Sequence, residues 1–222
     1  MRLRADPGCA FVFDLDDTLY GEIDFVRSGF ASLVAGLPSS RRSRAVEAMM
    51  DRFRAGDDAI GSLVTEHRDD LPDPSTSVLL ARYRRHHPEI ALHPDARRLV
   101  GDARSAGVRV GVVTDGRSLT QRNKLRALGL DTLVDSVVIS DEFGSTKPDR
   151  RNFEHFAELW PDAEITMFGD NTGKDFAVPA ELGWTTICRL DAGENIHRQD
   201  LDRLPPTTHH VVTFDEIDLG VR

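Results

Sequence analysis

The sequence predicts an α/β fold: a Rossmann-like parallel sheet with helices on both faces, plus a helical cap inserted after the first strand. Three observations carry this. From Pro94 onward, short apolar runs alternate with amphipathic helical stretches. One further apolar run, Ala10–Phe13, stands far upstream of the others. Between them, from Ile23 to His87, the apolar residues recur at helical spacing.

The first strand is Ala10-Phe11-Val12-Phe13, aromatic and β-branched enough to read as buried. It runs straight into Asp14, Asp16 and Asp17. A buried strand does not tolerate unpaired charge. The acids must therefore lie where the strand surfaces, at its carboxyl end, where open α/β sheets place their ligands. Crowded carboxylates repel unless a cation holds them or one keeps a proton. Asp17 reads only as a turn residue leading into the cap.

The helical block carries apolar stripes at Phe25, Phe30, Leu33 and Val34, at Val46, Met49, Met50 and Phe53, and at Val78, Leu79, Leu80 and Tyr83. Turn signals at Leu37–Ser40, Ala55–Asp58 and Leu71–Pro74 separate them. An insertion at a strand's carboxyl end suits a lid. Then follow helix Asp95–Ser105 and strand Val108–Val113, helix Leu119–Leu128 and strand Ser136–Ile139, and helix Arg151–Leu159 and strand Ile165–Phe168. Helix Lys174–Leu182, strand Thr185–Cys188 and a short strand His210–Val212 close the series. Such alternation implies a parallel sheet. The core is thus residues 1–20 and 92–222, and the cap 21–91. Asp191–Pro206 is long, polar and weakly patterned, with no legible role.

A net charge of -9 argues against nucleic-acid and anionic-membrane partners. No run is apolar enough for a membrane span, and the first residues do not read as a signal peptide. A cytoplasmic protein with reduced Cys9 and Cys188 is expected. No cysteine–histidine spacing suggests zinc. The pairs His86-His87 and His209-His210 read as a helix end and a strand flank, and the cap arginines as solvated helix faces.

The strand ends share one edge of a parallel sheet. They bring Asp14 and Asp16 together with Val113-Thr114-Asp115-Gly116, Gly144-Ser145-Thr146-Lys147-Pro148 and Gly169-Asp170-Asn171, with Asp175 shortly after. Singly, each has a bland reading: Asp115 and Asp141 as turn formers, Thr114 as a helix cap, Lys147 as a surface lysine. Together they form a complementary set, several carboxylates with a hydroxyl and an ammonium.

FDLDDTL, TDG, GSTKPDRRNF and FGDNTGKD resemble, in order and spacing, the four motifs of the haloacid dehalogenase superfamily of hydrolases. The resemblance implies that Asp14 is a nucleophile forming an aspartyl-phosphate. It makes Asp16 the general acid and then the base. Thr114 and Lys147, with the backbone at Asp115 and Gly116, would bind the phosphoryl group. Mg2+ would lie on Asp14, Asp170 and the backbone carbonyl of Asp16, with Asp175 and Asn171 supporting it. Asp115, where many relatives carry asparagine, would face away, towards Arg117. Dehalogenases lack the acid that Asp16 supplies, because halide leaves without a proton, and phosphonate cleavage needs a cap lysine that Ile23–His87 lacks. The expected function is Mg-dependent hydrolysis of a small phosphate monoester: a sugar phosphate, nucleoside monophosphate or small organic phosphate. The alternatives are a phosphomutase or a silent phosphate-ester-binding protein. A monomer or homodimer is expected.

Overall fold

The structure is a computed structural model and describes residues 1–220. The chain divides into two compact units, Met1–Glu22 with Ala91–Arg222, and Ile23–Ile90.

The strands of the larger unit are, in chain order, β1 (Arg2–Arg4), β2 (Cys9–Phe13), β3 (Arg109–Thr114), β4 (Ser136–Ile139), β5 (Glu164–Gly169), β6 (Thr185–Arg189), β7 (His209–Val211) and β8 (Asp218–Gly220). Six of them form one parallel sheet in the order β4-β3-β2-β5-β6-β7. The chain builds outward on one side of β2, then crosses to the other at β5. The carboxyl end of β2 is therefore the topological switch point, where such sheets open a crevice.

β2 is buried along its whole length, and its period of two sorts its side chains. Ala10 and Val12 join a cluster with Val113, Met167, the helical residues Phe153 and Phe156, and Trp160 just beyond their helix. Phe11 and Phe13 face the other way. Phe13 stacks on Phe168 at 4.5 Å between centroids, and Phe214 closes the group at 6.5 Å from Phe13. Burying each such ring is worth roughly 1.5–3 kcal/mol.

The smaller unit contains α2 (Ser39–Ala55), α3 (Ala59–Glu66), α4 (Thr76–Arg85) and all but the first residue of α1 (Glu22–Leu33). Its aromatic centre joins Phe30 to Phe53 at 6.2 Å and Phe25 to Tyr83 at 5.6 Å. Asp58 caps α3 by accepting from the Gly61 amide at 2.8 Å. The larger unit adds α5 (Pro94–Ser105), α6 (Ser118–Ala127), α7 (Ser140–Phe143), α8 (Arg151–Leu159) and α9 (Ala177–Glu181).

The structure departs from the sequence expectation in several places. β3 ends on Thr114, so this residue closes the strand instead of following it. β7 lies one residue earlier than expected. α9 begins at Ala177, not Lys174, because Pro179 fits a helix's first turn but not its interior. The two-stranded parallel sheet of β1 and β8 was not expected, since three-residue strands carry almost no periodic signal. Where the chain returns to the larger unit, the His93 amide donates to the Leu19 carbonyl at 2.9 Å. Cys9 and Cys188 are free and buried. No helix of the described residues is long and apolar enough to cross a membrane.

Candidate active site

β2 and its neighbours pair in register, with Phe13 level with Val112 and Phe168. The ladder runs one step further, the Asp14 amide donating to the Phe168 carbonyl at 2.8 Å. Asp14 thus emerges between the ends of β3 and β5. Thr114 ends β3, and Asp170 follows β5 directly.

Lys147 arrives after α7 on a cis Lys147–Pro148 turn. Its ammonium donates to Asp14 and, at 2.6 Å, to Asp175. The second oxygen of Asp175 accepts the Asn171 amide at 2.9 Å. This packing explains Gly169: a Cβ there would meet the Asp175 carboxylate at 2.6 Å. Only glycine leaves Asp175 room beneath the site.

Asp14, Asp170 and Asp175 each place a carboxylate oxygen within 4.8 Å of the other two, and all three are buried. Burial pushes Asp14 up to about 7, against the pull of Lys147 and with repulsion from Asp175 and Asp16. Burial, then Asp14 and Asp175, push Asp170 up to about 9. Burial would lower Lys147, but Asp14 and Asp175 outweigh it and hold the ammonium well above its usual range. A hard divalent cation with oxygen ligands fits this donor set. It would offset both the burial that drives the two carboxyls up and the repulsion that adds to it.

Asp16 has different company. Burial works to raise it, but Lys124, Tyr20 and Gln121 prevail and hold it below the usual carboxylate range. Lys124 donates at 2.6 Å, Gln121 at 3.0 Å, and the Tyr20 hydroxyl adds a third bond. Glu22, nearby, is pushed up to about 8 by burial and then by Asp16.

Asp14, Asp16, Glu22, Lys147 and Asp170 line a cavity of about 170 Å³, together with Thr114, Asp115, Asn171, Lys174 and His197. Asp14, Asp16, Thr114, Lys147, Asp170 and Asn171 therefore face one cavity, and Asp175 is held against two of them, Lys147 and Asn171. Gly116 is not among the lining residues; its amide donates to Ser140 Oγ at 2.9 Å. Asp115 does not pair with Arg117. It accepts the Lys147 amide at 3.0 Å and the Lys174 ammonium at 2.9 Å, so its charge is answered within the site.

The family of haloacid dehalogenase-like hydrolases matches residues 10–183. The chain belongs to that family. It is 29% identical over 191 residues to a glyceraldehyde 3-phosphate phosphatase of Methanocaldococcus jannaschii, covering 79% of this chain and 82% of the relative. It is 27% identical to a ribulose-1,5-bisphosphate 5-phosphatase of Halopiger xanaduensis, covering 94% and 97%. The magnesium-bound HAD-hydrolase YfnB of Bacillus subtilis shares the fold, with a TM-score of 0.62 at 18% identity over 96% of this chain and 97% of that one.

Several residues of this haloacid dehalogenase-like hydrolase, inside and outside the four motifs, have parts in the site that the sequence did not reveal. Asp17 is more than a turn residue. It holds a left-handed φ of 55°, tolerable for aspartate, and its carboxylate accepts the amides of Glu22 and Ile196 at 2.8 and 2.9 Å. That second bond draws the Asp191–Pro206 segment onto the site. Asn195 then donates to the Asp170 carboxylate at 3.0 Å and Gln199 to the Asp170 carbonyl at 2.8 Å. Thr18 donates to the other Asp170 oxygen at 3.2 Å. Gln121 and Lys124 lie on α6, whose inward face is polar where an apolar stripe is usual. That missing stripe was the one available signal.

Proposed function

We propose that this hydrolase is a magnesium-dependent phosphatase acting on a small phosphate monoester through an aspartyl-phosphate on Asp14. The observation that carries the reading is Asp16, two residues after Asp14 and in the same cavity. A departing alkoxide needs a proton where a halide does not.

Asp14 attacks phosphorus, and the bond from phosphorus to the leaving oxygen breaks. Asp16 passes its proton to that oxygen. Asp16 then takes a proton from water, which attacks phosphorus and frees both inorganic phosphate and the Asp14 carboxylate. Lys147 and Thr114 bind the non-bridging oxygens, and Asp175 with Asn171 keeps Lys147 aimed. In the ligand-free site Asp16 is the ionised partner of Lys124, so its proton is acquired as the ester binds. Magnesium, held by Asp14, Asp170 and the Asp16 carbonyl, would neutralise charge between the anionic nucleophile and the anionic ester. The helical unit, inserted directly after the first motif, is the cap that selects the rest of the substrate. The two phosphatases named above point to a sugar phosphate of three to five carbons.

The test is phosphate release from a panel of sugar phosphates, nucleoside monophosphates and an aryl phosphate, with magnesium or excess chelator. Asp14→Asn should lose roughly 10³-fold or more in kcat, as removal of a covalent nucleophile does elsewhere. Substantial turnover by that variant, or in chelator, would sink the mechanism.

A further inference from the structure

We propose that Gln121 and Lys124 are positioning residues for Asp16, fixing the carboxyl that hands its proton to the leaving oxygen; this rests on the phosphatase reading above. The geometry is specific. Lys124 Nζ lies 2.6 Å from Oδ1 of Asp16, and Gln121 Nε2 lies 3.0 Å from Oδ2. Each oxygen therefore has its own donor from one helix, and the plane of the carboxyl is set. The same Gln121 amide also donates to Thr114 Oγ1 at 2.5 Å. One side chain thus ties the acid–base to the phosphate-binding hydroxyl.

Burial argues that the arrangement is not incidental. Gln121 is 1% exposed and Lys124 is 3% exposed. Long polar side chains on a helix normally reach water, and a buried ammonium is costly without a partner. The backbone also makes room for Gln121. A Cβ at Gly116 would meet Gln121 Cδ at 3.0 Å, and Gly116 has a φ of +146° that few side chains tolerate. The third residue of the TDG motif thus clears space for Gln121.

A residue that acts through Asp16 should matter in proportion to how much the leaving oxygen needs a proton. An alkyl phosphate, such as a sugar phosphate the enzyme accepts, releases a strongly basic alkoxide. p-Nitrophenyl phosphate releases a stable phenolate. The reading is kcat/KM, which stops at the first irreversible step, when the leaving group departs. The experiment measures both substrates with wild type, Asp16→Asn, Gln121→Met and Gln121→Asn, each checked for folding by thermal melt. Gln121→Met keeps the net charge, so it is the principal variant. Its Thr114 contact adds a loss common to both substrates, which the ratio of the two kcat/KM values cancels. We expect Asp16→Asn to lower the alkyl-to-aryl ratio by roughly 10²-fold, and Gln121→Met to lower it by about tenfold. In Asp16→Asn the second substitution should change the ratio no further. An unchanged or raised ratio in Gln121→Met, with Asp16→Asn moving it, overturns the positioning role and leaves the phosphatase reading intact. An unchanged ratio in Asp16→Asn overturns the acid role of Asp16 and the positioning proposal with it, whereas no phosphate release by wild type from either substrate overturns the phosphatase reading. Gln121→Asn, which keeps the net charge but carries its amide one methylene short of Asp16, decides the matter on the same terms if Gln121→Met does not fold.

Discussion

Asp14 and Asp170 sit where their ordinary charge is hardest to keep. Their folded values are raised to about 7 and about 9, from an ordinary 3.8. A raised carboxyl contributes stability that is complete below its unfolded value and is lost as pH climbs through the folded one. The chelated protein should therefore melt at progressively lower temperature from about pH 4 to about pH 9. Magnesium would take the place of those protons, so its stabilisation should grow over the same window. Scanning calorimetry with chelator or magnesium across that range checks this; a magnesium gain that is flat with pH refutes it. Asp14, Asp16 and Asp170 were legible because an apolar strand cannot absorb the acids that end it. Gln121 and Lys124 were not, because a glutamine and a lysine on a helix read as solvated until the helix is seen to turn them inward.

Among the elements, the segment after β6 shows how a polar loop can be ordered without an apolar core of its own. The Asp191 carboxylate accepts the amides of Gly193, Glu194 and Asn195 at 2.7 to 3.0 Å. Gln199 bridges the Arg189 and Asp170 carbonyls at 2.8 Å each. Its order rests on side-chain-to-backbone bonds, which leave no periodicity to read in sequence. Asn195→Ala should weaken magnesium binding by roughly tenfold in isothermal titration, as loss of a carboxylate's supporting bond does. The melting temperature of the chelated protein should change little. Equal magnesium affinity in variant and wild type would show that Thr18 alone orients Asp170. The sheet strands and most core helices were legible from hydropathy, whereas α9 shifted because a proline outranks the surrounding helical pattern.

At the scale of the whole molecule, the alternation of strand and helix was enough to specify a parallel sheet, and its order follows from a single switch at β2. The pairing of β1 with β8 was beyond reach, since it joins segments some two hundred residues apart through three positions each. The bond between the Leu19 carbonyl and the His93 amide carries a different lesson. It brings the two chain crossings at the root of the helical unit together within the larger unit. Everything between is, to the sheet, a long loop between fixed ends, and lengthening such a loop costs only about 0.6 kcal/mol per doubling. We therefore expect that the helical unit can be exchanged. Replacing Ile23–Ile90 with a short glycine-serine turn should yield a core that still melts cooperatively and still binds magnesium, which calorimetry and titration would show. On that view the sheet is a socket, and new specificity can be acquired by swapping what is plugged into it while the reacting groups stay where they are.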